Sequence, residues 1–187
     1  KHDLQTAKQL MSAAGYSGQE IKYIYPNDAY GDVYNQAADA ARGMLADAGF
    51  KVQVTTVSYL KDYIGPTGIM NVGAPPNSLV YSLQTPFTEP DDYLSQMLVK
   101  GSTRNVDHVD DPALEAMIIQ QRSELDENKR LQEVYDIQRA HAQQMYYAPV
   151  VNGTTFIFAR EWAQNFFVVD DYATGTESAP YLSVNNR

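Results

Sequence analysis

A strand, a helix and a second strand follow one another near the start of the chain, and this order constrains the fold most. Residues 21–25 are rich in β-favouring side chains, and the turn-forming residues 26–28 follow them. Apolar residues keep helical spacing over residues 34–48 until Gly49, and residues 51–57 have the composition of a strand. Two strands joined by a helix in this way lie parallel, with a right-handed crossover. The sequence therefore predicts an α/β fold built on a βαβ unit.

Further elements are predicted along the rest of the chain. Residues 78–83 are apolar on both faces, which is typical of a covered central strand. Asp111 before Pro112 favours the start of one helix, and Asp126 favours the start of another. Asn152-Gly153 lies between two β-compatible runs and predicts a hairpin. The faces predicted to be buried comprise Leu114, Met117, Ile118 and Leu125 on the first helix, and Leu131, Val134, Tyr135, Gln138, Ala142 and Met145 on the second.

Composition and charge exclude several classes of partner. The 187 residues suit one full-sized domain, and 14 tyrosines, 6 phenylalanines and 1 tryptophan require a packed interior. A formal net charge of −9 would repel phosphate backbones, so no nucleic-acid partner is predicted. The sequence contains no cysteine and no apolar run long enough to cross a bilayer. The chain begins directly before a predicted helix cap at Asp3, so we expect it to be an excised or matured piece.

The sequence contains no evident set of catalytic or metal-binding residues. The three histidines are not at metal-ligand spacing, and the motifs of a nucleophile elbow and a phosphate loop are missing. One dense polar cluster consists of Asp107, His108, Asp110 and Asp111. It fits either a metal site or a helix cap with solvated neighbours, and we favour the second because no ion-binding loop motif surrounds it. We therefore predict a protein that is not an enzyme, with no catalytic residue, cofactor or metal.

Several short segments occur in an order that is informative when they are taken together. They are Asp3, Ala7-Lys8, Leu10-Met11, Ala14-Gly15-Tyr16 and Gly18; residues 45–54; residues 89–94; and Asn105, Asp111-Pro112, Leu114, Arg130, Tyr135, Gln138 and Pro149. In this order they resemble the bacterial extracellular solute-binding proteins of family 5, the oligopeptide, dipeptide and nickel type. The resemblance covers residues 3–168.

The resemblance implies a fold and a role. The fold is a periplasmic-binding-protein type II-like α/β lobe, whose mixed sheet contains the βαβ unit and is flanked by helices. Residues 1–169 would form this single lobe, the second of a two-lobed receptor, and residues 170–187 would form an irregular tail. The role is to capture a peptide or another small polar solute outside the bacterial cytoplasm, in the periplasm or as a cell-surface lipoprotein.

The same resemblance implies partners. The ligand would be held between this lobe and the missing N-terminal lobe of the same protein, which closes over it. The loaded receptor would then deliver the solute to the permease of an ABC importer. An alternative is an interaction or sensor domain on the same fold that is not coupled to transport.

Ligand contacts are transferred by position in the family. They would be Tyr63 in the loop before the third strand, and Ser82, Leu83, Gln84 and Thr85 after that strand. We add Tyr81 and Asn152 to these ligand contacts. For Leu83 and Tyr81, packing in the protein interior is an equally good interpretation. Uncharged small molecules, or peptides held through their backbone, fit this neutral and aromatic set best.

One departure from the family concerns the amino group of a peptide ligand. In peptide-binding members an aspartate binds that group, and here Pro86 falls at its position. Proline cannot form an ion pair, so we expect no recognition of a free peptide amino group here, unless a shifted loop lets Asp91 or Asp92 substitute. A second aspartate of the family, at the start of the strand, is replaced by Asn77.

Overall fold

The computed structural model describes residues 3–84, 89–150, 158–167 and 180–184. They belong to two compact units, one formed by residues 1–83 and 96–112 and the other by residues 84–95 and 113–187. The helices are α1 (Leu4–Ala13), α2 (Gly31–Ala48), α3 (Ile69–Val72), α4 (Pro90–Leu98), α5 (Pro112–Ser123) and α6 (Glu127–Gln144), with a π-helical turn at Tyr59–Tyr63. The strands are β1 (Glu20–Pro26), β2 (Lys51–Val57), β3 (Ser78–Val80), β4 (Ala163–Gln164) and β5 (Ser183–Val184). None of the helices in these ranges has the length and hydropathy needed to cross a membrane.

The first unit is built on the predicted βαβ unit, and the parallel pairing is confirmed. Strands β1 and β2 pair in parallel, with Ile21 opposite Val52. Helix α2 connects them and ends at Gly49, whose φ of 110° is a left-handed conformation that glycine adopts at little steric cost. Strand β3 pairs in parallel with the other side of β1, which gives the order β2-β1-β3. Strand β1 is therefore the centre of this sheet.

The two faces of β1 pack into separate apolar clusters, because successive side chains of a strand point to opposite faces. Tyr23 and Tyr25 lie in a cluster with three residues of α2, namely Tyr34, Ala38 and Ala41. Ile24 lies in a second cluster with Tyr63 of the π-helical turn and Ile69 of α3. Both faces of the central strand are thus covered, which is typical of parallel sheets.

Strand β3 differs from its prediction in length and in position. It covers Ser78–Val80 rather than residues 78–83, and among the described residues it lies at an edge of the sheet. Leu79 is 42% exposed, which a strand covered on both faces would not allow. The predicted length of β3 and the predicted covering of both its faces are therefore wrong. An apolar run indicates that a strand can be buried, but it does not indicate the position of that strand in the sheet.

Helices α5 and α6 of the second unit begin where the sequence predicted. Helix α5 starts at Pro112, and the Asp126 side chain caps α6 by accepting a hydrogen bond from the Lys129 N–H at 2.9 Å. Leu114 and Ile118 are buried as predicted. Leu125 is 95% exposed, contrary to the prediction, because α5 ends at Ser123 and leaves Leu125 in the connection to α6.

The buried face of α6 is rotated relative to the predicted one. Val134 is buried as predicted and Ile137 is buried beside it, whereas the predicted Leu131 and Tyr135 are exposed. Gln138, Ala142 and Met145, which share the predicted face, are exposed as well. The helix carries two apolar stripes about one residue, or about 100°, apart. Periodicity alone could not decide between them, because both stripes have helical spacing.

A polar network connects α4, α5 and α6 in the second unit. Gln121 is fully buried and donates to Asp91 Oδ1, while its Oε1 accepts from Arg130 Nε at 3.0 Å. Asp91 Oδ2 accepts from Arg122 Nε at 2.8 Å. Glu89 forms an ion pair with Arg130 and accepts from the Asp91 N–H. Each buried polar group of this set therefore has a partner, as burial requires.

Part of the C-terminal segment takes part in regular structure. Ala163 and Gln164 of β4 pair in antiparallel fashion with Val184 and Ser183 of β5. The tail predicted to be irregular over residues 170–187 therefore includes a short strand. The hairpin predicted at Asn152-Gly153 lies outside the described residues.

His141 of α6 gives the second unit a predicted dependence on pH. Its Nε2 is buried without a hydrogen-bond partner, and its ring lies beside those of Tyr146 and Tyr147. Burial lowers the pKa of His141 below its ordinary value of 6.5. The unfolded chain then binds a proton more readily than the folded one, so stability is complete above pH 6.5 and falls on acidification below it. Urea unfolding of the chain, followed by the fluorescence of its single tryptophan, Trp162, will measure this loss.

The matched variant for this prediction is His141→Phe, which keeps a ring and removes the titrating group. We expect the variant to lose less stability than the native chain between neutral pH and pH 5, where carboxylates of ordinary pKa are still mostly ionised. Equal losses in the two proteins would contradict the assignment to His141.

Candidate functional site

The order of the strands creates a topological switch point at the carboxyl edge of the sheet in the first unit. The chain leaves β1 toward β2 on one side and later returns to β3 on the other side of β1. The connections that follow β1 and β3 therefore diverge, and in open α/β sheets ligands bind at such a point, outside the carboxyl ends of the strands. The residues to consider are those directly after β1, β2 and β3.

Four hydroxyl-bearing side chains meet at this edge, and we call them the hydroxyl cluster: Tyr30, Tyr59, Tyr63 and Ser82. The Tyr63 hydroxyl donates to Ser82 Oγ at 2.6 Å. The rings of Tyr30 and Tyr59 meet edge to face, with centroids 5.3 Å apart, and Tyr59 stacks on Tyr63 at 5.8 Å. Such ring pairs add to the stability gained by burial alone. The cluster is therefore a packed and hydrogen-bonded unit.

Each member of the hydroxyl cluster comes from a segment that follows a strand. Tyr30 lies after β1 and directly before α2, Tyr59 and Tyr63 lie in the π-helical turn after β2, and Ser82 lies after β3. Asp28 Oδ1 accepts from the Tyr59 N–H at 2.8 Å and joins the first two of these segments. One-turn π-helical segments are rare and occur often at functional sites.

Two further tyrosines support the cluster from the core side. The Tyr34 hydroxyl donates to the Tyr81 carbonyl oxygen at 2.8 Å, and the two rings lie 5.3 Å apart. Tyr81 also contacts Tyr23, at 6.2 Å between centroids, and its N–H donates to the Ile24 carbonyl oxygen. Tyr81 is thus a packing residue in this structure, and it fixes the position of the neighbouring Ser82.

The electrostatics of the cluster keep two of its phenols, Tyr30 and Tyr63, neutral. Burial raises the pKa of Tyr63 and is the largest effect, the Ser82 hydrogen bond opposes it, and the charges of Tyr59 and of the exposed Asp107 raise the pKa by smaller amounts. Burial likewise raises the pKa of Tyr30, with hydrogen bonding to Tyr59 as the next cause. These hydroxyls can donate and accept hydrogen bonds, but at physiological pH they provide neither an anion nor a base.

The acidic cluster singled out in the sequence has structural partners. Asp110 forms an ion pair with Lys100 at 2.6 Å. The His108 ring packs against Gly73, where an added Cβ would lie 2.8 Å from His108 Cδ2. Within the described ranges, no group of three or more histidine, aspartate or glutamate side chains is placed to hold a metal ion. Asp91, considered above as a substitute amine ligand, has both carboxylate oxygens engaged by Gln121 and Arg122.

Comparison with known proteins gives matches only among solved structures. No protein-family model matches the chain, and no curated protein sequence does. An oligopeptide-binding protein of clavulanic acid biosynthesis matches all of this chain with a TM-score of 0.79 and 20% identity. A periplasmic murein tripeptide binding protein in its unliganded open form matches 87% of it, with a TM-score of 0.69 and 20% identity. The ABC transporter-associated periplasmic binding protein DppA from Helicobacter pylori, in complex with the peptide STSA, matches 80% of this chain with a TM-score of 0.62 and 18% identity.

The chain has the fold of these solute-binding proteins. It spans 34%, 31% and 28% of their respective lengths, so it corresponds to a minor part of each. The α/β class and the type II-like lobe that the resemblance implied are thereby confirmed.

The structure of the chain brings together some of the predicted ligand contacts. Tyr63 and Ser82 are in direct contact, and Tyr81 lies beside them. Leu83 is 52% exposed and Gln84 is exposed too, so neither is used in packing as fully as Tyr81. Thr85 and Asn152 lie outside the described residues. All seven remain predictions as ligand contacts.

Two members of the cluster, Tyr30 and Tyr59, were not predicted from the sequence. Both directly follow the carboxyl end of a predicted strand, after residues 26–28 and after Val57. Because the carboxyl ends of parallel strands meet at one edge, the predicted βαβ unit already contained the signal needed to find them.

Proposed function

We propose that this chain is the C-terminal lobe of an extracytoplasmic receptor that captures a peptide or another small polar solute for an ABC importer. The observation that carries the proposal is the hydroxyl cluster, which lies at the carboxyl edge of the sheet in a chain with a solute-binding-protein fold. The related structures include proteins described as binding an oligopeptide and a murein tripeptide. A role in binding without chemistry is supported by the neutral phenols of the cluster.

The proposal assigns residues 1–169 to the second lobe of the receptor and residues 170–187 to its tail. The partners are then the solute, the missing N-terminal lobe, which closes over the ligand, and the permease that receives it. The length of the related structures, of which this chain spans 34% or less in the three matches above, supports a two-lobed whole.

Amide spectra of the ¹⁵N-labelled chain test the binding site. We expect a mixture of a protein hydrolysate and neutral sugars to shift the amide signals of Tyr30, Tyr63 and Ser82. The shifts should be lost in the double variant Tyr63→Phe/Ser82→Ala, which removes two hydroxyl groups from the cluster. Ser12→Ala, at an exposed position of α1, is the matched control and should respond like the native chain. Equal shifts in the double variant, or none in the native chain, would refute the proposed site.

Coupling to transport is tested in cells that produce the intact receptor. Loss of the gene should abolish uptake of the solute identified in the binding experiment, and the double variant should reduce it. Unchanged uptake, together with intact binding, would favour the alternative of a sensor or interaction domain on the same fold.

A further inference from the structure

We propose that the carboxyl-edge site is selective for an uncharged solute, bound through its own hydroxyl or amide groups. This inference rests on the proposed function and names the chemical class of the ligand. It is carried by the composition of the hydroxyl cluster, by the solvent exposure of the charged side chains on the same segments, and by two exposed leucines that are adjacent to it in sequence.

The first observation concerns the hydrogen-bonding groups that the cluster offers. Tyr30, Tyr59 and Ser82 are partly exposed, whereas Tyr63 is buried and donates its hydroxyl hydrogen to Ser82 Oγ. A hydroxyl donates one hydrogen bond and can accept others. Sugar hydroxyls and peptide amides have the same dual capacity, so each can replace the water that it displaces. An ionic group instead requires an opposite charge when it is removed from water. The hydroxyl cluster itself contains no such charge.

The second observation concerns the charged residues on the segments that build the cluster. Asp28 accepts from the Tyr59 N–H, and Asp62 accepts from the Ser58 N–H at 3.3 Å. Both carboxylates are exposed, as is Lys61 between Leu60 and Asp62. Asp107 is exposed too, and its negative charge acts on Tyr63. These charges lie in water, where salt screens them, and the carboxylates would in addition repel an anion.

The third observation concerns apolar surface. Leu60 directly follows Tyr59, and Leu83 directly follows Ser82; both leucines are largely exposed. Polar hydroxyls next to exposed apolar side chains match a solute that carries hydrogen-bonding groups on an apolar frame, such as a neutral sugar or a capped peptide. An ionic group would gain no binding free energy from contact with these leucines, because they are apolar.

Matched pairs of probes test the inference with the ¹⁵N-labelled chain. One pair is acetyl-Ala-Ala-amide and zwitterionic Ala-Ala, and the other is lactose and the anionic lactobionate. In at least one pair we expect the neutral member to shift the amides of Tyr30, Tyr63 and Ser82 with a Kd lower than that of its charged partner by about tenfold or more. Raising the salt concentration about tenfold should leave the Kd of the neutral probe unchanged within about twofold.

The outcomes separate the ligand class from the proposed function. Tighter or equal binding of the charged member in every pair that binds would overturn the selectivity for uncharged solutes, while leaving solute capture at this edge intact. If none of the four probes shifts these amides, the inference fails, and the hydrolysate and sugar mixture then decides separately whether the site binds any solute. Loss of the selective shifts in Tyr63→Phe/Ser82→Ala, but not in Ser12→Ala, would assign them to the cluster.

Discussion

Replacing Ile118 with alanine is expected to lower the free energy of unfolding by about 2–5 kcal/mol. Ile118 lies in α5 and is completely buried, so the truncation removes apolar contacts and leaves a cavity that the surrounding helices can fill only in part. Urea unfolding followed by Trp162 fluorescence will measure the change, because Trp162 belongs to the same unit as α5.

The neighbouring Ile119 provides a matched control for this substitution. It has the same side chain in the same helix but is 55% exposed. We expect Ile119→Ala to change the stability by about 0.5 kcal/mol or less, as is usual at exposed positions. Similar losses in the two variants would show that α5 is oriented differently from the structure described above.

Replacing Gly65 with alanine is expected to destabilise the first unit by about 1–3 kcal/mol. An added Cβ at Gly65 would lie 2.3 Å from the Lys61 carbonyl oxygen and 3.1 Å from that of Leu60. Both contacts are with the backbone of the π-helical turn, which cannot yield as a flexible side chain can. The turn would have to shift, and Tyr63 would move away from Ser82.

Near-ultraviolet circular dichroism of the tyrosines, recorded during urea unfolding, will detect the effect of Gly65→Ala. The matched control is Gly43→Ala in the interior of α2, where nothing lies within 4 Å of the added Cβ. Alanine has the higher helix propensity, so this control should stabilise the chain by about 0.5–1 kcal/mol. A neutral or stabilising Gly65→Ala would contradict the close packing of the turn.

Local features of the fold could be predicted from the sequence because they depend on neighbouring residues. Asp3 accepts from the Thr6 N–H at 2.9 Å and caps α1, as the residues around it indicate. Gly49 ends α2 and Pro112 begins α5, both where the neighbouring residues indicate a helix end and a helix start. The parallel pairing of β1 and β2 also follows from local order, since a helical connection of this length permits little else.

Features that depend on distant parts of the chain could not be predicted in the same way. The exposure of Leu131 and Tyr135 is decided by the packing of α6 against its neighbours, since either apolar stripe could have been buried. The position of β3 at an edge of the sheet that the described residues form depends on which strand it pairs with. The contact of Tyr63 with Ser82 was not predicted, because 19 residues separate them; resemblance to a family suggested only that each would lie near the ligand.

The central position of β1 has a consequence for the order of events in folding. Its partners lie about 30 residues later in β2 and about 55 residues later in β3, so closing the sheet costs more chain entropy than forming helices does. During synthesis, β1 can form its complete set of strand pairs only after β2 and β3 have emerged from the ribosome. Helices α5 and α6, which adjoin in sequence, have no such delay. We therefore expect the pairing of β3 with β1 to be the slow step in forming the hydroxyl cluster, since Ser82 lies two residues after β3.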